Sequence, residues 1–148
     1  MVDIQDVQSI RHYYEKRLFR KPKLATTVVL LDDQPDAPYP DLDKEEAMSL
    51  TEQAKEAGFV FTSWKEGHEP VESYINFAMI AKAMYRPEDN HIYLYPKNGG
   101  PAVHLYISED AFHEALKEAS LKPLQEELLA DGNVYIQGFK PAMRGLVS

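Results

Sequence analysis

The 148 residues are 44% hydrophobic and 27% charged, the balance of a folded globular protein, which excludes wholesale disorder. There is no cysteine, so disulfides, thiolate metal sites and cysteine nucleophiles are excluded together. Sixteen basic against 24 acidic residues leave a net charge of −8, which disfavours nucleic-acid backbones and anionic membranes and favours basic partners.

This length predicts a single domain, 1–148, with an ordered core over about 3–139 and a loose tail at 140–148. No stretch approaches the roughly 18 to 20 apolar residues of a membrane span, and no basic-then-apolar run opens the chain. The expectation is a cytoplasmic protein without a membrane role.

Along the chain, Ile4, Val7, Ile10, Tyr14 and Leu18 recur at three- and four-residue spacing and predict an amphipathic helix from Asp3 to Phe19. Its end carries Lys16, Arg17, Arg20, Lys21 and Lys23, cations suited to a helix carboxy terminus stopped by Pro22. Arg17, Arg20, Lys21 and Lys23 are also the candidate anion-binding residues. The unalternating run Val28 to Leu31 predicts a strand near the sheet centre.

Residues 32–46 hold seven carboxylates, one lysine and three prolines. Clustered oxygens suit a divalent cation, but the spacing lacks the calcium-loop pattern, and Asp43 with Glu46 reads as a helix cap. The expectation is a solvated loop and no metal. A helix over Lys44 to Ala57 follows, stopped by Gly58, then a strand over 59–64 and a turn holding His68.

Residues 72–87 are apolar on most sides, through Ile75, Phe77, Met79, Ile80 and Met84, and predict a buried helix closed by Pro87. Later come a helix capped by Ser108 over Glu109 to Leu121, a helical piece from Pro123, and a last strand over 133–139. The predicted fold class is α+β: a mixed, mostly antiparallel sheet of about five strands with four to five helices.

The stretch HIYLYPKNGGPAVHLYIS, 91–108, reads as a hairpin around Gly99-Gly100. Symmetric pairing sets Tyr93 opposite His104 and His91 opposite Tyr106. Ile92, Leu94, Val103, Leu105 and Ile107 then share one face, and His91, Tyr93, Tyr95, His104 and Tyr106 share the other.

That second face reads first as a wet sheet surface that tyrosine tolerates. Its functional reading is a protein-binding surface, since tyrosine brings large contact area at low entropic cost. A small acidic inhibitor, immunity-type or adaptor protein engaging a basic macromolecule is the expected function, with a homodimer as a further option. The alternative is a nucleotide- or phosphodiester-handling protein in which His91 and His104 are catalytic. The repeated His resembles paired H-x-T phosphoesterase motifs, with Tyr in place of Thr and both copies on one hairpin. Local dinucleotide, P-loop, serine-hydrolase and zincin motifs are absent, and the expectation is a non-enzyme with no cofactor.

Overall fold

A computed structural model describes residues 3–15, 17–30, 43–97, 99 and 102–141. The chain divides into two compact units, Met1–Asn76 and Phe77–Ser148. The first begins with a 3-10 turn, Ile4–Asp6, capped by Asp3, whose carboxylate accepts from the Gln5 N–H at 3.0 Å. Strands β1 (Val7–Glu15) and β2 (Lys23–Leu30) follow, then helix α1 (Lys44–Glu56) and the hairpin β3 (Val60–Glu66) and β4 (Glu69–Ile75). These strands pair antiparallel in the order β2-β1-β4-β3.

Helix α1 starts where the sequence places it, with the Asp43 carboxylate accepting from the Glu46 N–H at 2.8 Å. Its Leu50 and Ala54 pack with Val7, Ile10, Val28 and Tyr74 into one buried cluster edged by Ile4 and Phe59. Ile10 lies opposite both Val28 and Tyr74, so all three side chains leave the sheet on the same side.

The second unit begins with a 3-10 turn, Phe77–Met79, and strand β5 (Ile80–Tyr85). It continues through β6 (Ile92–Pro96), β7 (Val103–Leu105), helix α2 (Glu109–Glu118), β8 (Leu121–Pro123), β9 (Glu126–Leu128), β10 (Val134–Gln137) and β11 (Phe139–Pro141). Five strands form an antiparallel sheet in the order β7-β6-β5-β10-β9, and β8 pairs with β11. Ala83, Tyr85, Ile92, Leu94, Leu105, Val134 and Ile136 are buried on one face of the larger sheet. Phe112 of α2 is fully buried and meets the Tyr85 ring edge-on at 6.2 Å.

The expected fold class is therefore corrected: the described residues hold eleven strands in three sheets and two α-helices, in place of one sheet of about five strands with four to five helices. The expected first helix is a 3-10 turn followed by β1. Ile10, His12 and Tyr14 alternate with Ser9, Arg11 and Tyr13, and β1 has a neighbour on each edge. The residues matching a helical spacing are largely β-branched or aromatic, types that fit a pleated sheet equally well.

The expected helix over 72–87 is the end of β4, a tight turn and β5. An apolar run carries no periodicity that separates a buried helix from buried strands. The piece from Pro123 holds the end of β8 and β9 instead, being too short to hold helical structure without a packed face. Strand β2 lies at a sheet edge, not the centre. The acidic residues 31–42 and the tail 142–148 lie outside the described residues, while Lys140 and Pro141 belong to β11.

Candidate functional site

The predicted hairpin register is the observed one, with Tyr93 opposite His104, Leu94 opposite Val103 and Ile92 opposite Leu105. Alternation then sends the five singled-out side chains, His91, Tyr93, Tyr95, His104 and Tyr106, away from the buried aliphatic face. Four of them assemble into one cluster. The His91 ring stacks on Tyr106 at 4.5 Å and 16°, lies 4.2 Å from the Tyr93 ring, and its Nε2 is 3.0 Å from Nδ1 of His104. Tyr93 in turn meets His104 edge-on at 4.9 Å.

His91, Tyr93, Tyr95 and His104 are half-buried and Tyr106 is 48% exposed. Tyr95 extends the face toward β5, where the Lys82 ammonium lies 5.3 Å from its ring and 5.8 Å from that of Tyr135. Tyr135 and Lys82 escaped the sequence reading because they arrive through the β5–β6 and β5–β10 pairings. No spacing within the hairpin signals those pairings.

Between two imidazole nitrogens one must donate and the other accept, so the His91–His104 bond consumes a donor and an acceptor. Acid–base chemistry on a phosphodiester would therefore fall to the other ring nitrogens, His91 Nδ1 and His104 Nε2. Beside the cluster lies a cavity of about 360 Å³ lined by Met84, Arg86, Asp89, His91, Tyr93 and Tyr95, among others. The Arg86 Nη2 donates to the Asp131 carbonyl at 3.3 Å. The Asp131 carboxylate accepts from the backbone and side-chain amides of Asn133, bonds that hold its pKa below the usual range.

A second site, in the first unit, carries no sequence motif. A cavity of about 400 Å³ lies between the α1 face of the sheet and the helix, with Tyr14, Leu24, Met48 and Tyr74 among its apolar walls. His12 forms part of its lining. Its Nδ1 is 2.8 Å from Thr26 Oγ1 and its Nε2 is 2.9 Å from Thr51 Oγ1. Thr51 donates its hydroxyl proton to the Ala47 carbonyl at 2.7 Å, so it accepts from His12 Nε2–H. Burial lowers the His12 pKa, helped by Lys55 and opposed by Glu72, so the neutral ring has Nδ1 free to accept from Thr26. Both nitrogens are thereby spent on the fold.

Of the basic stretch expected at a helix end, residues 17–22 form the turn between β1 and β2 and Lys23 begins β2, while Lys16 lies outside the described residues. Arg17 donates through Nε and Nη2 to the Lys21 carbonyl at 3.1 and 3.0 Å, and Lys23 pairs across the hairpin with Glu15. Arg20 and Lys21 are exposed on the same turn. Elsewhere the Tyr85 hydroxyl reaches Glu109 at 3.3 Å and Glu126 at 3.2 Å, and burial with these two carboxylates drives its pKa strongly upward.

Among the described residues no group of three His, Asp or Glu side chains could hold a metal ion. No helix among them is long and apolar enough to cross a membrane. Comparison with protein-family models, curated proteins and solved structures found no match.

Proposed function

We propose that the chain is a cytoplasmic binding module whose His/Tyr face engages a protein with a basic surface, as an inhibitor or adaptor does. The observation that carries this reading is the stacked cluster of Tyr93, His91 and Tyr106, assembled in advance and open at Tyr106. Rings already held by their neighbours lose little freedom when a partner arrives, which is where aromatic binding sites gain affinity. A chain charge of −8 adds attraction for cations, and Lys82 over Tyr95 and Tyr135 is an internal example of the contact a partner's lysine or arginine would make.

The phosphodiester alternative is disfavoured because a net charge of −8 opposes nucleic acid. Panning a displayed peptide library on the full chain, with counter-selection on Tyr106→Ala, tests the proposal. The expected result is enrichment of Lys- and Arg-rich sequences that bind the wild type and lose about tenfold or more in affinity on the variant. Peptides binding both proteins equally would move the site elsewhere. Mononucleotides perturbing the His91 and His104 ring resonances in NMR would revive the enzymatic alternative, and a dimer mass lost in Tyr106→Ala would make a second copy the partner.

A further inference from the structure

The turn joining β1 to β2 combines features that the His/Tyr face does not use. Leu18 is 82% exposed and Phe19 96% exposed, side by side at the tip. Arg17 precedes them, and Arg20, Lys21 and Lys23 follow, so the most exposed apolar pair of the described chain sits in a ring of cations. The turn is closed by the Arg20 N–H donating to the Arg17 carbonyl at 3.4 Å and by the Arg17 guanidinium gripping the Lys21 carbonyl.

Phe19 occupies the third position of that turn with φ of +60°. A turn with positive φ there calls for glycine or asparagine, because a Cβ is strained in the left-handed region. Turn chemistry alone therefore gives no reason for phenylalanine, and exposure to water gives a reason against it. Among the described residues nothing covers the ring or offsets its strain.

We infer that this tip is a docking element for the surface of an anionic phospholipid bilayer, with Leu18 and Phe19 entering the headgroup boundary and Arg17, Arg20, Lys21 and Lys23 meeting the phosphates. Two convex side chains are far short of the roughly 1,200–2,000 Å² that a stable protein interface buries, whereas a bilayer demands no shape complementarity. Basic residues near an anionic leaflet add attraction that falls off within a Debye length, so the tip responds to its own charge. The acidic remainder of the chain is repelled by the same surface, so the attraction is confined to the tip. Net charge averaged over the whole sequence hides this local reversal.

Phe19→Gly separates docking from folding, because it relieves the left-handed strain while removing the ring. Vesicles of phosphatidylcholine, with and without phosphatidylserine, are sedimented with the full chain. Expected are binding to the phosphatidylserine vesicles alone, weakened by salt, and a loss of about tenfold or more in both Phe19→Gly and Arg20→Gln/Lys21→Gln with the thermal midpoint kept or raised. Phe19→Trp, read against the single buried Trp64, should shift its emission to the blue on those vesicles. No binding to phosphatidylserine vesicles, or undiminished binding by Phe19→Gly, overturns the inference. So does polyglutamate binding that needs Phe19 and Arg20 when vesicles fail to bind, which would make an acidic protein the occupant.

Discussion

His12 in β1 and the His91–His104 pair of the second unit are half-buried imidazoles on antiparallel sheets, yet their nitrogens are spent differently. His12 is held between two threonine hydroxyls, groups that both donate and accept, and Thr51 fixes its tautomer by giving its own proton to Ala47. His91 and His104 instead bond each other, one facing nitrogen donating and the other accepting. One histidine is locked into the fold by partners from β2 and α1. The others lie on one hairpin, with Tyr93 and Tyr106 against their rings.

The largest effect that tests this contrast is Thr51→Val. Valine keeps the shape but removes the acceptor of His12 Nε2–H, leaving a part-buried donor unpaired, for about 1–3 kcal/mol in urea unfolding. His104→Ala should cost less, about 0.2–1 kcal/mol, the usual range of a cross-strand pair. Equal costs would break the comparison, since they would make the hairpin pair as structural as His12.

The pH dependence of stability comes next. The His12 pKa is lowered in the folded chain, so between that value and the ordinary imidazole value of about 6.5 the unfolded chain binds more protons. Stability from this group is therefore complete above about 6.5 and is lost as pH falls through the folded value. Unfolding free energy measured from pH 7 downward should decline, and His12→Asn should flatten that slope whatever it does to the absolute value. A slope unchanged in the variant would show that another group carries the acid sensitivity.

Tyr106→Ala should cost about 0.2–1 kcal/mol in stability, because the ring is 48% exposed and lies on one flank of His91. Its effect on partner binding should exceed its effect on folding, and that inequality is the signature of a binding face. His91→Ala is not a clean control for a histidine role: its ring lies against both Tyr93 and Tyr106, so its loss would loosen both tyrosines. A hairpin read in isolation predicts that the tyrosines matter and the histidines do not. The stack removes that distinction.

How much of this was legible in the sequence follows from the range of the interactions involved. The hairpin, the alternation of its faces and the capped starts of the two helices are set by residues close in the chain and are legible in it, whereas α2 ends at Glu118 and the expected helical Leu121 lies in β8. Strand β1 is missed because the residues that match a helical spacing there suit a pleated sheet equally well, and β5 because an apolar run carries no period; in both, only the neighbours in the sheet decide. The five side chains of the His/Tyr face can be placed together from the sequence because one hairpin carries them all. Lys82, Tyr135 and the His12–Thr26–Thr51 hub cannot be, since each joins elements whose partners no local pattern names.

The smallest expected effect has the opposite sign and returns to threonine. Thr62 and Ser73 lie opposite each other on β3 and β4, and their hydroxyls are buried without a hydrogen-bond partner among the described residues. Thr51 and Thr62 are the same side chain in two electrical situations, one joining a helix carbonyl to an imidazole and the other desolvated with nothing in return. Thr62→Val keeps the β-branch that suits a strand and removes the group whose burial is uncompensated, so urea unfolding should show a gain of up to about 1 kcal/mol. Ser73→Ala should act in the same direction, and the double variant should fall short of the sum because the two groups face each other. A loss of stability in Thr62→Val would mean that its hydroxyl is satisfied after all, and the sign of the valine substitution would no longer separate the two threonines.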